Sequence, residues 1–137
     1  MALVYGSLGE YNQAKELYEK ALMISKTIFR EDHAHVTTSY NNLALVYNSL
    51  GEYNQAKELH EKALTIRKKI FGEDNTHVAT SYNNLALVYN RLGESSNQAR
   101  ELNEKALTIY KRIFGEDHAD VATTYSNLAS VYNRLLL

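Results

Sequence analysis

The sequence predicts an all-α fold, a right-handed superhelical solenoid of antiparallel helix pairs. Three observations predict it: a motif that returns every 42 residues, apolar side chains spaced at helical period, and a complete lack of proline. Proline inside a helix costs about 3 kcal/mol, so its absence removes the strongest breaker. Leu8-Gly9-Glu10, Leu50-Gly51-Glu52 and Leu92-Gly93-Glu94 carry the motif at 42-residue steps. The stretches 39–52 and 81–94 differ only at Ser49 versus Arg91. Glu-Asp recurs at Asp32, Asp74 and Asp117, the last step being 43 because Tyr53-Asn54 becomes Ser95-Ser96-Asn97. A one-residue insertion is tolerated best in a turn.

Each copy divides into two helices, here A and B. Met1-Ala2-Leu3-Val4-Tyr5 aligns with Leu43-Ala44-Leu45-Val46-Tyr47, so the chain begins midway along an A helix, which Gly9 should end. A B helix then runs to about Phe29. In the next copy the A helix covers about Val36 to Leu50, with Val36, Tyr40, Leu43, Ala44, Tyr47 and Leu50 at steps of three and four. Gly51 separates it from a B helix over about Tyr53 to Phe71, striped by Ala56, Leu59, Ala63, Ile66 and Ile70. Gly72 and Gly115 stand where left-handed caps end B helices, and Arg30 in the first copy predicts a looser end. Asp32, Asp74 and Asp117 precede the A helices, where a carboxylate can cap the N-terminus or favour the helix dipole. The last A helix, Tyr125 to Leu135, meets Leu136-Leu137 in place of Gly-Glu. The expected organisation is one solenoid segment over 1–137: partial repeat 1–34, repeats 35–76 and 77–119, and partial repeat 120–137. It reads as a piece of a longer array.

A period of 42 also suits HEAT or armadillo repeats, but residue identities point elsewhere. With Ala56 and Ala63 on the two small B-helix positions, Tyr40 takes a tryptophan position, Leu43 the leucine, Ala44 the small residue, and Tyr47 and Tyr53 the aromatic positions. Tyr82, Leu85, Ala86, Tyr89, Ala99 and Ala106 repeat the set, and Tyr125, Leu128, Ala129 and Tyr132 repeat part of it. This pattern resembles the tetratricopeptide (TPR) repeat over essentially the whole chain. The repeat is longer than the usual ~34 residues and lacks the proline that commonly ends the B helix. The long variety is similar to the TPR arrays of kinesin light chains and nephrocystin-like proteins. Similar long repeats also occur behind nucleotide-binding domains of some signalling ATPases.

Composition narrows the function. The chain has 45% hydrophobic and 23% charged residues and a net charge of -1, with no basic excess for nucleic acid or an anionic membrane. No run approaches the ~18 apolar residues of a membrane span, and no secretory signal opens the chain. The lack of cysteine excludes disulfides and thiolate metal sites and suits a cytoplasmic location. Catalysis is not expected: there is no Gly-x-Ser-x-Gly elbow and no glycine-rich phosphate loop. His33 and His35 form the only His-x-His pair, and they read as exposed turn residues, not metal ligands. His60 stands where the flanking copies have Tyr18 and Asn103, as a tolerated variation at a packing edge. Lys15, Glu16, Glu19 and Lys20 and their copies read as a solvated outer B face, and the tyrosines as core. No cofactor or metal is expected.

The asparagines of the A helices stand out, because asparagine is a mediocre helix former. Asn41, Asn42 and Asn48 recur as Asn83, Asn84 and Asn90, then as Ser126, Asn127 and Asn133. The resemblance implies that A helices line a concave groove, where Asn42, Asn84 and Asn127 hold the backbone of an extended peptide. An amide both donates and accepts, which suits a peptide backbone. Leu45 and Leu87 would add an apolar strip, and Arg91 and Arg134 positive charge for an acidic segment. The bland reading is that the asparagines bond neighbouring helices and order the repeats. The expectation is therefore a protein-protein interaction scaffold binding a peptide or partner protein. The alternative is a self-assembling array: the final A helix lacks a B helix to cover it, and the first B helix lacks a full A helix, so copies could join head to tail as a homo-oligomer.

Overall fold

The computed structural model describes residues 2–31, 33–93 and 96–136, with side chains from Leu8 onward. Six helices carry the described chain: α1 (Ala2–Ile28), α2 (Ala34–Ser49), α3 (Tyr53–Phe71), α4 (Thr76–Leu92), α5 (Ser96–Phe114) and α6 (Ala119–Leu135). No strand occurs among the described residues. The all-α fold of paired helices is as the periodicity predicts. The chain forms two compact units, residues 1–66 and 67–137.

In the first unit α1 packs on α2. Val36 and Tyr40 of α2 meet Ala63 and Ile66 of α3, with Leu22, Phe29 and Leu59 around them. Ala56 and Ala63 are fully buried; their short side chains let helices approach closely, and the ring of Tyr40 fills the space beside them. In the second unit α4 packs on α5, and α5 on α6. Ala86, Ala99 and Val131 form its centre, flanked by Tyr89 and Leu102.

The expected turn at Gly9 is absent. α1 runs through it without a break, whereas Gly51 and Gly93 take φ of 81° and 72°. Within α1 only Ala2 to Leu8 precede this glycine, barely two turns. Continuing α1 keeps the backbone bonds on both sides of Gly9, at about 1 kcal/mol for the interior glycine. At the other end α1 stops at Ile28, one residue short of the positions of Phe71 and Phe114 that end α3 and α5, while the Phe29 N–H still bonds the Ser25 carbonyl at 2.7 Å.

The helix caps also differ from expectation. The capping atoms belong to His33, Asn75 and His118, one residue beyond each aspartate. His33 Nδ1 accepts from the His35 N–H at 3.0 Å, Asn75 Oδ1 from His77 at 2.8 Å, and His118 Nδ1 from Asp120 at 3.1 Å. That spacing reaches the orphan N–H of the first turn. Asp74 instead forms a two-pronged ion pair with Arg112, one leg at 2.8 Å. Asp32 lies outside the described residues, as does Ser95 of the insertion; Ser96 opens α5. The turn histidines stack on the phenylalanine ending the preceding helix: Phe29 on His33 and His35, Phe71 on His77, and Phe114 on His118 at 3.8 Å.

Two further expectations need correction. His60 and Asn103 are each 1% exposed, so that position belongs to the interior and not to a packing edge. The tyrosines are not all core: Tyr11, Tyr125 and Tyr132 are 39%, 44% and 47% exposed, and some charges of the solvated B-helix face reach tyrosine rings. Lys15 lies 5.8 Å from the Tyr47 ring centre, and Glu19 accepts from the Tyr47 hydroxyl at 3.3 Å. Tyr132 repeats the second contact with Glu104 at 3.3 Å.

Candidate functional site

The tyrosine at the tryptophan position anchors a repeated polar module. Tyr40 donates to Glu31, Tyr82 to Glu73, and Tyr125 to Glu116 at 2.9 Å. Each glutamate also faces a lysine: Lys26, Lys68 and Lys111, at 3.6, 3.5 and 3.6 Å. A second lysine lies over the ring from the following B helix, Lys62 over Tyr40 at 5.6 Å and Lys105 over Tyr82 at 5.5 Å. Desolvation by burial, then the glutamate bond, raises the pKa of the Tyr40 and Tyr82 phenols. The Tyr82 bond holds the Glu73 carboxyl below its ordinary range, aided by Lys68 and Lys105 against partial desolvation. These phenols stay neutral and donate. They are structural parts, a role the sequence pattern hid because the glutamates lie nine residues before each tyrosine.

Arg67 is another buried polar element, 9% exposed. It donates to the His77 carbonyl at 3.2 Å and to Ser81 Oγ at 2.8 Å. Burial lowers its pKa, and neutral acceptors hold it. Beside it, the Tyr110 and Thr80 hydroxyls meet at 2.6 Å.

The asparagines expected to line the groove fall into two sets. In the second unit Asn83 Nδ2 donates to Thr124 Oγ1 at 2.8 Å, and Asn90 Nδ2 to Ser130 Oγ at 3.3 Å. Both tie α4 to α6, in accord with the ordering role. Asn127 of α6 makes no side-chain bond among the described residues and is half-buried. Leu87, Asn90 and Asn127 surround one small hollow with Asn103 and Ser130. Asn84 is half-buried; Arg91, Asn133 and Arg134 are exposed. A side chain on Gly93 would bring its Cβ within 2.9 Å of the Arg134 guanidinium, so the bare glycine, at positive φ, leaves the space that Arg134 occupies. In the first unit, α2 carries Asn41, Asn42 and Asn48, half-buried, and Leu45, 42% exposed.

Among the described residues no cluster of three or more histidine, aspartate and glutamate side chains could hold a metal ion. No described helix is long and apolar enough to cross a membrane.

The sequence of the chain matches the tetratricopeptide repeat model three times, over residues 1–69, 35–97 and 77–135. The chain belongs to the tetratricopeptide repeat family. Repeats of this family generally mediate protein-protein interaction. Among solved structures, the TPR chain is similar to BtubC (BKLC) from P. vanneervenii, with 32% identity and a TM-score of 0.84 over 98% of this chain and 53% of that one. It is also similar to a Podosopora anserina putative kinesin light chain with nearly identical TPR-like repeats, at 26% identity and a TM-score of 0.87. A singly substituted form of that protein matches at 26% identity and a TM-score of 0.78. Both pairings with the Podosopora protein cover 98% of this chain and 63% of the other. The chain thus spans about half to two thirds of the length of these structures. A search of curated proteins found no match.

Proposed function

We propose that this TPR segment is a cytoplasmic binding scaffold that works by holding an extended, acidic peptide segment of a partner protein and not by catalysis. In the second unit the site is the face shared by α4 and α6. The observation that carries the reading is the state of Asn127: half-buried, beside Leu87, with its amide unengaged by described residues. An amide so placed can donate to and accept from a peptide backbone. Arg91 and Arg134 stand exposed on the same two helices and would favour carboxylates. Asn83 and Asn90 act as ties between the helices. α2 of the first unit carries the corresponding set Asn41, Asn42, Leu45 and Asn48.

The test uses a displayed library of acidic decapeptides. A selected peptide should bind wild type and lose roughly 5- to 150-fold in affinity when Asn84→Ala and Asn127→Ala are combined, the net worth of two amide contacts. Helicity should be unchanged. Binding that survives the double change contradicts the reading.

A second reading, self-association, is favoured by one specific match. Leu17, Ala21 and Ile24 of α1 correspond to Leu59, Ala63 and Ile66 of α3, the residues that pack around Tyr40. Leu17 and Ile24 are 65% and 58% exposed, while Tyr125 and Tyr132 of α6 are 44% and 47% exposed. α1 of one copy would cover α6 of the next as α3 covers α2, a heterologous contact that propagates unless it closes. Light scattering over a concentration series should show mass rising with concentration. A mass fixed at one chain contradicts it.

A further inference from the structure

We infer that the hollow between α4, α5 and α6 is a binding site for one water molecule, held by the side-chain oxygens of Asn90 and Asn103. The hollow measures about 30 Å³ and is lined by Ala86, Leu87, Asn90, Asn103, Asn127, Ser130 and Val131. A water needs ~10–15 Å³ of such space and two to four polar partners. Asn103 is 1% exposed. Its Oδ1, like that of Asn90, is buried without a hydrogen-bond partner. Two acceptor oxygens on one small space call for a donor, and water brings two.

The partners complete the site. Ser130 Oγ accepts from Asn90 Nδ2 at 3.3 Å, which leaves the serine proton for the water. Turning either buried amide about its long axis does not remove the demand, because water can accept as well as donate.

The sequence of the neighbouring copies explains why the site lies here. The positions matching Asn103 hold Tyr18 and His60, both rings, and His60 is as fully buried as Asn103. Replacing a ring by an amide both removes volume and leaves an oxygen wanting a donor. One substitution therefore creates the space and the polarity together. The bound water joins three helices through Asn90, Asn103 and Ser130. This inference is independent of peptide binding.

The test is a high-resolution crystal structure of the whole chain, with water NOE measurements on the Asn90 side-chain amide. Wild type should show a density peak within hydrogen-bond distance of both Asn90 and Asn103, and an NOE of the sign given by a long-lived water. Asn103→Leu should abolish both. Asn103→His, which installs the residue of the preceding copy, should do the same if the leucine variant folds poorly. Absence of the peak in wild type overturns the inference, as does a peak unchanged in the variants or a direct bond between the Asn90 and Asn103 amides.

Discussion

Helices α4 and α6 carry nearly the same residues and come to different surroundings. Tyr82 is 2% exposed and Tyr125 44%, although each donates to the glutamate nine residues before it. Ala86 is fully buried and Ala129 exposed. The difference is α5, which lays Lys105 across the Tyr82 ring, whereas no following B helix covers Tyr125 among the described residues. A TPR tyrosine is therefore made into core by the helix that follows it. Its local partners, the glutamate and the first lysine, form without that cover.

The sharpest way to break this comparison is truncation of both rings. Tyr82→Ala should destabilise by about 3–5 kcal/mol, as large-to-small changes in cores do. Tyr125→Ala should cost about 1 kcal/mol or less, because an exposed residue has little packing to lose. Denaturant titration of the two variants measures both. Equal losses would mean that the glutamate bond and not the cover makes the difference.

The helix caps give an intermediate effect. α4 is capped by Asn75 and α6 by His118, so the two residue types should be interchangeable. His118→Ala should lose about 0.5–2 kcal/mol, and His118→Asn should restore most of it. Thermal melts decide the matter, and no recovery with asparagine would assign the role of His118 to its stack on Phe114 alone.

The smallest effect concerns the phenol. Tyr82→Phe removes the chief cause of the lowered Glu73 pKa. Because the Glu73 side chain is half exposed, solvent screens the bond, and the loss at neutral pH should be about 1 kcal/mol or less. A carboxyl with a depressed folded pKa stabilises above its unfolded value, and the contribution disappears as pH falls through the folded one. The gap between wild type and Tyr82→Phe should thus close under acid. A gap that persists when Glu73 is protonated would contradict the assignment.

These contrasts show what was legible beforehand. The 42-residue period, the small residues Ala56, Ala63, Ala86 and Ala99, and α3 as Tyr53–Phe71 could be read from the chain, because local periodicity determines them. The glutamate–tyrosine–lysine module could not, since its glutamates lie in the turns, its tyrosines and lysines on different helices, and each charge alone looks like surface. Asp74 drew the capping role because carboxylates commonly cap, yet the Asn75 side chain is the one aligned with the N–H two residues on. Burial of Asn103 between α4 and α6 depends on a third helix, beyond any single helical stripe. Of the groove residues, Asn83 and Asn90 turn out to bond α6, which only the pairing of A helices reveals.

Under the proposed function, Asn84 and Asn127 hold a peptide backbone on the α4/α6 face. Side-chain amide NMR during titration with a selected acidic decapeptide tests it most directly. Saturable shifts are expected at the Asn84 and Asn127 amides, weaker at higher salt as Arg91 and Arg134 are screened. Shifts confined to α5, with both amides unmoved at saturation, would contradict it.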